Sequence, residues 1–67
     1  MSDQNRYYEL MSQACRANAT ACARSAEATR VHPWMSDEEK AASAADYERM
    51  ERSYLDSAAK WMEMVTP

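Results

Sequence analysis

Two cysteines and one histidine are the side chains of this sequence best suited to metal or nucleophilic chemistry. Cys15 and Cys22 stand seven residues apart. On a helix this spacing places them on one face with their Cα atoms ~10 Å apart, which is too far for a disulfide within the chain. His32 would lie ~15 Å beyond Cys22, so the three side chains cannot share one metal ion. We therefore expect no metal site and interpret both cysteines as small apolar residues of a helix interface.

The carboxylates supply no candidate catalytic pair. Glu48, Arg52, Asp56 and Lys60 follow one another at intervals of four residues, a pattern typical of opposite charges paired along a solvated helix face. The sequence contains no glycine, which the Rossmann turn, the P-loop and the nucleophile elbow all need. A chain of 67 residues forms one small domain, and a two-helix hairpin has no concave pocket. We expect neither an enzyme nor a bound cofactor.

The sequence around Pro33 holds the candidate binding residues. Trp and Met are costly to expose at a turn, and Trp and Arg dominate the energy of protein–protein contacts. The predicted partner-binding residues are Arg24, Glu27, Arg30, Trp34 and Met35. In this hypothesis Trp34 is the anchor, the two arginines donate charged hydrogen bonds, and Glu27 fixes the register.

A structural interpretation of Trp34 stands beside the functional one. Its indole ring could fold back over Ala28 and Ala41 and cover the end of the hairpin. In that case Trp34→Ala would unfold the protein instead of weakening a partner complex. The sequence leaves both interpretations open.

Two helices position these residues. The residue before a proline disfavours helical geometry, so His32–Pro33 ends a first helix predicted over about 3–31. After a turn at 32–35, Ser36 and Glu39 have the spacing of a capping box, which predicts a second helix over about 36–64. The short connection makes the helices antiparallel neighbours. We predict one all-α domain over 1–67, an antiparallel two-helix hairpin.

A seven-residue repeat predicts how the helices pack. In the second helix a bulky stripe contains Tyr47, Met50, Tyr54 and Trp61. In the first helix a small stripe of Tyr7, Ala14, Ala21 and Ala28 repeats every seven residues, flanked by Tyr8, Cys15 and Cys22 and by Leu10 and Ala17. Aromatic rings packed over alanines fill space while the backbones stay close. The seven-residue period predicts a left-handed, coiled-coil-like crossing.

The composition predicts that one copy of the chain has too small a core. Leu, Ile, Val and Phe together supply four of the 67 residues, whereas Ala alone supplies 13. The apolar surface that such a chain can bury roughly balances the conformational entropy that folding costs. We therefore predict a homodimer, in which two hairpins form a four-helix bundle around the bulky residues.

Charge and hydropathy argue against several classes of partner. The isoelectric point of about 5.0 opposes binding to phosphate, and acidic residues dilute the arginines of the first helix, so we expect no direct nucleic-acid contact. No stretch is long and apolar enough to cross a membrane. The first residues lead into no apolar leader segment, and we expect a cytoplasmic protein.

The small size, the two-helix layout and a surface bearing Trp34, Tyr7 and Arg24 resemble the small phage-encoded helical hairpins that inhibit host proteins, of the anti-activator and anti-CRISPR types. The resemblance implies a stoichiometric protein-binding inhibitor or modulator of a host or regulatory protein, such as a transcriptional regulator, acting in the host cytoplasm. It concerns layout and assigns no individual residue. The alternative is a structural or adaptor hairpin with no inhibitory role, which would bury its aromatic residues in its own assembly.

Overall fold

The computed structural model describes residues 2–67 and contains two antiparallel helices. Helix α1 spans Asp3–Arg30 and helix α2 spans Asp37–Glu63. Residues 2–67 contain no β-strand, so the predicted all-α hairpin is confirmed. The predicted ends differ from the observed ones by one residue, which is within the usual uncertainty of helix termini.

Short-range hydrogen bonds explain where the helices begin. The Ser36 hydroxyl accepts a bond from the Glu39 N–H at 3.2 Å, and the Glu39 carboxylate accepts one from the Ser36 N–H at 3.4 Å. The predicted capping box is therefore present. At the start of α1, the Ser2 hydroxyl accepts a bond from the Asn5 N–H at 3.1 Å. Both caps satisfy backbone donors that have no partner within the helix.

The helices meet along two stripes with alternating spacings of three and four residues, which we call the seam. The α2 side of the seam contains Ala44, Tyr47, Glu51, Tyr54, Ala58, Trp61 and Val65, all buried or half-buried. The α1 side contains Tyr8, Ser12, Cys15, Ala19, Cys22, Ala26 and Thr29, also buried or half-buried. Both cysteines are free thiols that fill space in the seam.

The predicted stripe of α1 was wrong in its centre, whereas its flanking residues Tyr8, Cys15 and Cys22 do lie in the seam. Tyr7, Ala14, Ala21 and Ala28 are exposed, and the adjacent stripe of Ser, Cys, Ala and Thr side chains packs on α2 instead. That stripe lets the backbones approach closely, since the fully buried Ser12 hydroxyl donates to the Ala58 carbonyl at 3.0 Å. In α2, Met50 was predicted together with the aromatic residues, but it lies on an exposed edge outside the seam.

An aromatic cluster closes the end of the hairpin that lies away from the turn. The Tyr8 ring stacks on Trp61 with centroids 5.9 Å apart, and Tyr7 meets the same indole edge-on at 5.7 Å. Asn5 and Thr66 exchange two hydrogen bonds beside them, of 2.6 and 3.1 Å. The bulkiest side chains of the seam are thus used to hold this end together.

Candidate protein-binding surface

The turn between the helices holds Trp34 outside the body of the protein. Its side chain is 87% exposed. Ala28 and Ala41, which a folded-back indole would cover, are exposed as well. The interpretation of Trp34 as a lid is therefore wrong. Pro33 fixes the backbone dihedral angle φ of the residue before Trp34.

Local bonds order the turn. The His32 N–H donates to the Thr29 carbonyl at 3.1 Å, and the Trp34 N–H donates to Nδ1 of His32 at 3.2 Å. The two rings lie edge to face with centroids 5.9 Å apart. Met35, which follows Trp34 in the chain, is half-buried. The indole is thus presented by an ordered turn.

Val31 is a part of this surface that the predicted site residues did not include. Its side chain is 77% exposed, and together with Trp34 it is the most exposed of the large apolar residues that the structure describes. The sequence position of Val31 could have indicated its exposure, because the residue that follows the last turn of α1 is covered by neither helix. Val31 and Trp34 form an apolar tip.

The charged residues predicted for the site lie on different sides of α1. Arg24 is exposed two turns before Val31, on the side of α1 that faces away from α2. Glu27 is exposed one turn before Val31 and lines a groove together with Glu48 of α2. Arg30 instead forms an ion pair with Glu48 across the hairpin. The two arginines therefore do not make one cationic patch. We call Arg24, Glu27, Val31 and Trp34 the turn surface.

The ion pairs also differ from the predicted charge ladder. Among residues 2–67, Arg30 pairs with Glu48 and Arg49 pairs with Asp46. Shallow open grooves lie on the two sides of the Arg30–Glu48 pair. One is lined mainly by charged side chains, and the other is lined equally by alanines and charged side chains. These grooves can accept polar side chains of a partner that contacts the tip.

Two other kinds of site, a metal centre and a membrane span, concern the part of the chain that the structure describes. Within it, no three His, Cys, Asp or Glu side chains come together as metal ligands. Neither described helix combines the length and the hydropathy of a membrane span.

Comparison with known proteins adds no functional information about the turn surface. No family model matches the chain, and neither the curated proteins nor the solved structures gave a match. The physical chemistry of the residues described above is therefore the basis for assigning a function.

Proposed function

We propose that this chain is a protein-binding inhibitor or modulator of a host or regulatory protein, that it acts by stoichiometric contact in the cytoplasm, and that the turn surface makes the contact. One observation carries the proposal. A tryptophan stands almost fully exposed at the tip of an ordered turn. A protein that used Trp34 only for its own stability would bury it.

The energy of such a contact would come mainly from the indole. Trp is the residue type most enriched among binding hot spots, where truncation to Ala costs about 2 kcal/mol or more. The His32 hydrogen bond and ring contact already restrict Trp34. Less conformational entropy is then lost on binding than a flexible loop would lose. Val31 extends the apolar contact beside the indole.

The exposed charges would supply orientation. Arg24 and Glu27 lie beside the tip with opposite charges, so a partner with complementary charges binds in one register. Arg30 has a smaller role than the sequence predicted, because Glu48 already neutralises its guanidinium. It would act as part of the groove wall.

A structural or adaptor hairpin is the second candidate function. The aromatic cluster of Tyr7, Tyr8 and Trp61 favours it, since those rings pack against one another within the chain. In that case the partner would bind elsewhere or be a second copy of the same chain. Homodimerisation is compatible with either candidate.

The test compares the natural chain with Trp34→Ala. Each is immobilised and exposed to lysate of the native cell, captured proteins are identified by mass spectrometry, and the affinity for the purified partner is measured by calorimetry. We expect Trp34→Ala to keep its helix content and lose about thirtyfold in affinity. Met62→Ala, which truncates an exposed apolar residue at the opposite end, is the matched control and should bind normally.

Two further results distinguish contact through the turn surface from contact elsewhere on the protein. Arg24→Ala should weaken binding less than Trp34→Ala and should reduce the dependence of the affinity on salt. If Trp34→Ala binds the same partner with unchanged affinity, the turn surface is not the contact. The exposed Tyr7 at the other end is then the next candidate.

A further inference from the structure

Helix α1 carries a second apolar stripe that α2 does not cover. It lies on the side of α1 opposite the seam and repeats with spacings of three and four residues, like the seam itself. We call it the outer face of α1; it consists of Tyr7, Leu10, Ala14, Ala17, Ala21, Arg24, Ala28 and Val31, all of them exposed. Tyr7 is 53% exposed and Leu10 is 45% exposed. A heptad stripe of this length is the pattern of a helix that pairs with another helix.

The matching face of α2 has the opposite character. It consists of Ala42, Asp46, Arg49, Ser53, Asp56, Lys60 and Glu63, of which five are charged. The outer face of α1 has one charged residue among its eight. Both helices belong to the same small protein. The composition of the whole chain therefore does not explain why the outer face of α1 is apolar while the matching face of α2 is charged.

The exposed area of the chain is larger than its mass requires. A globular monomer of this mass, 7.7 kDa, exposes about 4,300 Å², whereas this chain exposes 5014 Å². The hairpin is elongated, with principal extents of 50 × 14 × 10 Å, and this shape explains the excess of about 700 Å². A stable interface buries about 800 Å² per partner, and a face that runs the length of such a rod can supply that area.

We propose that the outer face of α1 binds the same face of a second copy, with the two α1 helices antiparallel. The twofold axis would pass between residues 17 and 18, and Ala14 would lie level with the partner copy's residue 21. The bulky Tyr7 would then lie level with residue 28 of the other copy, which is an alanine. Tyr7 thus meets a small side chain, whereas Leu10 lies beside the arginine at position 24 of the other copy, whose aliphatic stem can pack on it.

The charges beside the outer face support the same register. Arg6 flanks its N-terminal end and Glu27 flanks its C-terminal end on the same side of the helix. In the antiparallel arrangement each Arg6 faces the glutamate at position 27 of the other copy, and the symmetry makes two such ion pairs. In a parallel arrangement Arg6 and the glutamate at position 27 of the other copy would lie about 30 Å apart along the dimer and would not pair. The charges therefore favour a second copy in the antiparallel orientation.

The proposal is tested first by sedimentation equilibrium over a range of concentrations. We expect a dimer that dissociates on dilution. Ala17→Glu places two carboxylates beside the twofold axis, and this like-charge contact should weaken the dimer about a hundredfold. Ser53→Glu makes a comparable change at the centre of the α2 outer face and should leave the dimer unchanged. Circular dichroism checks that both variants keep their helices.

Exchange of the charges at Arg6 and Glu27 tests the dimer even if Ala17→Glu fails to fold. Arg6→Glu and Glu27→Arg should each weaken the dimer, and the double variant should restore it. A double variant that binds no better than the single ones would overturn the charge argument.

Disulfide trapping tests the orientation. Ala17→Cys should cross-link two copies readily on oxidation. Ala28→Cys should cross-link no more than the natural chain, because its two copies would lie about 30 Å apart. Cross-linking through position 28 would refute the antiparallel register. A chain that stays monomeric at high micromolar concentration, or that dimerises equally well with Ala17→Glu, would overturn the proposal.

Discussion

The close approach of the two helices makes Ala58 the position where a larger side chain should do most harm. Ala58 is 2% exposed, and its carbonyl accepts the hydroxyl bond of Ser12 from the other helix at 3.0 Å. A leucine at this position would add three carbon atoms between two backbones that are already linked by a direct hydrogen bond. The helices would have to separate locally, or the leucine would have to adopt a strained rotamer.

The expected cost follows from this geometry. Overpacking a well-packed core typically costs about 1–3 kcal/mol, and separation of the helices would add the loss of the Ser12 bond, about 1 kcal/mol. We expect Ala58→Leu to lower the free energy of unfolding by about 2–4 kcal/mol. In a domain of this size each kcal/mol corresponds to about 4–8 °C in the melting temperature. The chain should therefore melt at least about 8 °C lower.

The control for this experiment is the neighbouring residue. Ala59 is exposed in the same turn of α2, and Ala59→Leu should change the free energy of unfolding by less than about 0.5 kcal/mol. Thermal melting is followed by circular dichroism at one fixed protein concentration, because dimerisation would make the melting temperature depend on concentration. If Ala58→Leu and Ala59→Leu melt alike, the close approach of the helices at Ser12 is wrong.

Two further stability predictions concern the cap and the seam. Ser36→Ala removes the capping hydroxyl of α2 and should cost about 1 kcal/mol in urea unfolding; an unchanged midpoint would show that Glu39 alone can cap the helix. Tyr54→Ala should cost about 2 kcal/mol, less than the 3–5 typical of a fully buried aromatic residue, because Tyr54 is half-buried in the seam. Leu55→Ala, which truncates an exposed residue, should cost less than Tyr54→Ala, and the reverse order would place Leu55 on the inward side of α2.

The helices and their ends could be predicted from the sequence because local interactions determine them. Pro33 excludes helical geometry at the residue before it. Ser36 and Glu39 satisfy each other's backbone donors within one turn of chain. Both effects act over three or four residues, so no knowledge of the rest of the protein was needed.

The packing face of α1 could not be predicted from spacing alone, because α1 carries two stripes with the same period. One contains Tyr8, Ser12 and Cys15, and the other contains Tyr7, Leu10 and Ala14. Hydropathy favours the second stripe, which has more large apolar residues. The structure uses the first, since Ser12 both fits the narrow seam and bonds to the opposite backbone. A polar residue with a partner on the other helix cannot be recognised from one sequence.

The turn surface was only partly predictable, for a related reason. The exposure of Trp34 depends on the direction in which the turn leaves α1, and the His32 bond that orders this turn has no signature in sequence spacing. Likewise, the ion pair of Arg30 with Glu48 joins residues 18 positions apart, whereas the predicted ladder considered neighbours on one helix. The ion pair depends on a contact between the helices, and the exposure of Trp34 depends on the conformation of the turn; no repeat in the sequence indicates either.

The narrow seam connects the two proposals made for this protein. Because the α1 side of the seam is made mainly of small side chains, large apolar residues remain exposed, and half of them lie on the outer face of α1 and at the tip: Tyr7, Leu10, Val31 and Trp34. In the proposed antiparallel dimer the turns of the two copies point in opposite directions. Each Trp34 then lies at its own end of the assembly, beyond the pairing of Tyr7 with residue 28 of the other copy. Arg24 and Val31 belong to both the turn surface and the outer face, and Glu27 pairs with Arg6 of the second copy. A second copy and a partner protein therefore compete for these three residues, whereas each Trp34 stays accessible in the dimer.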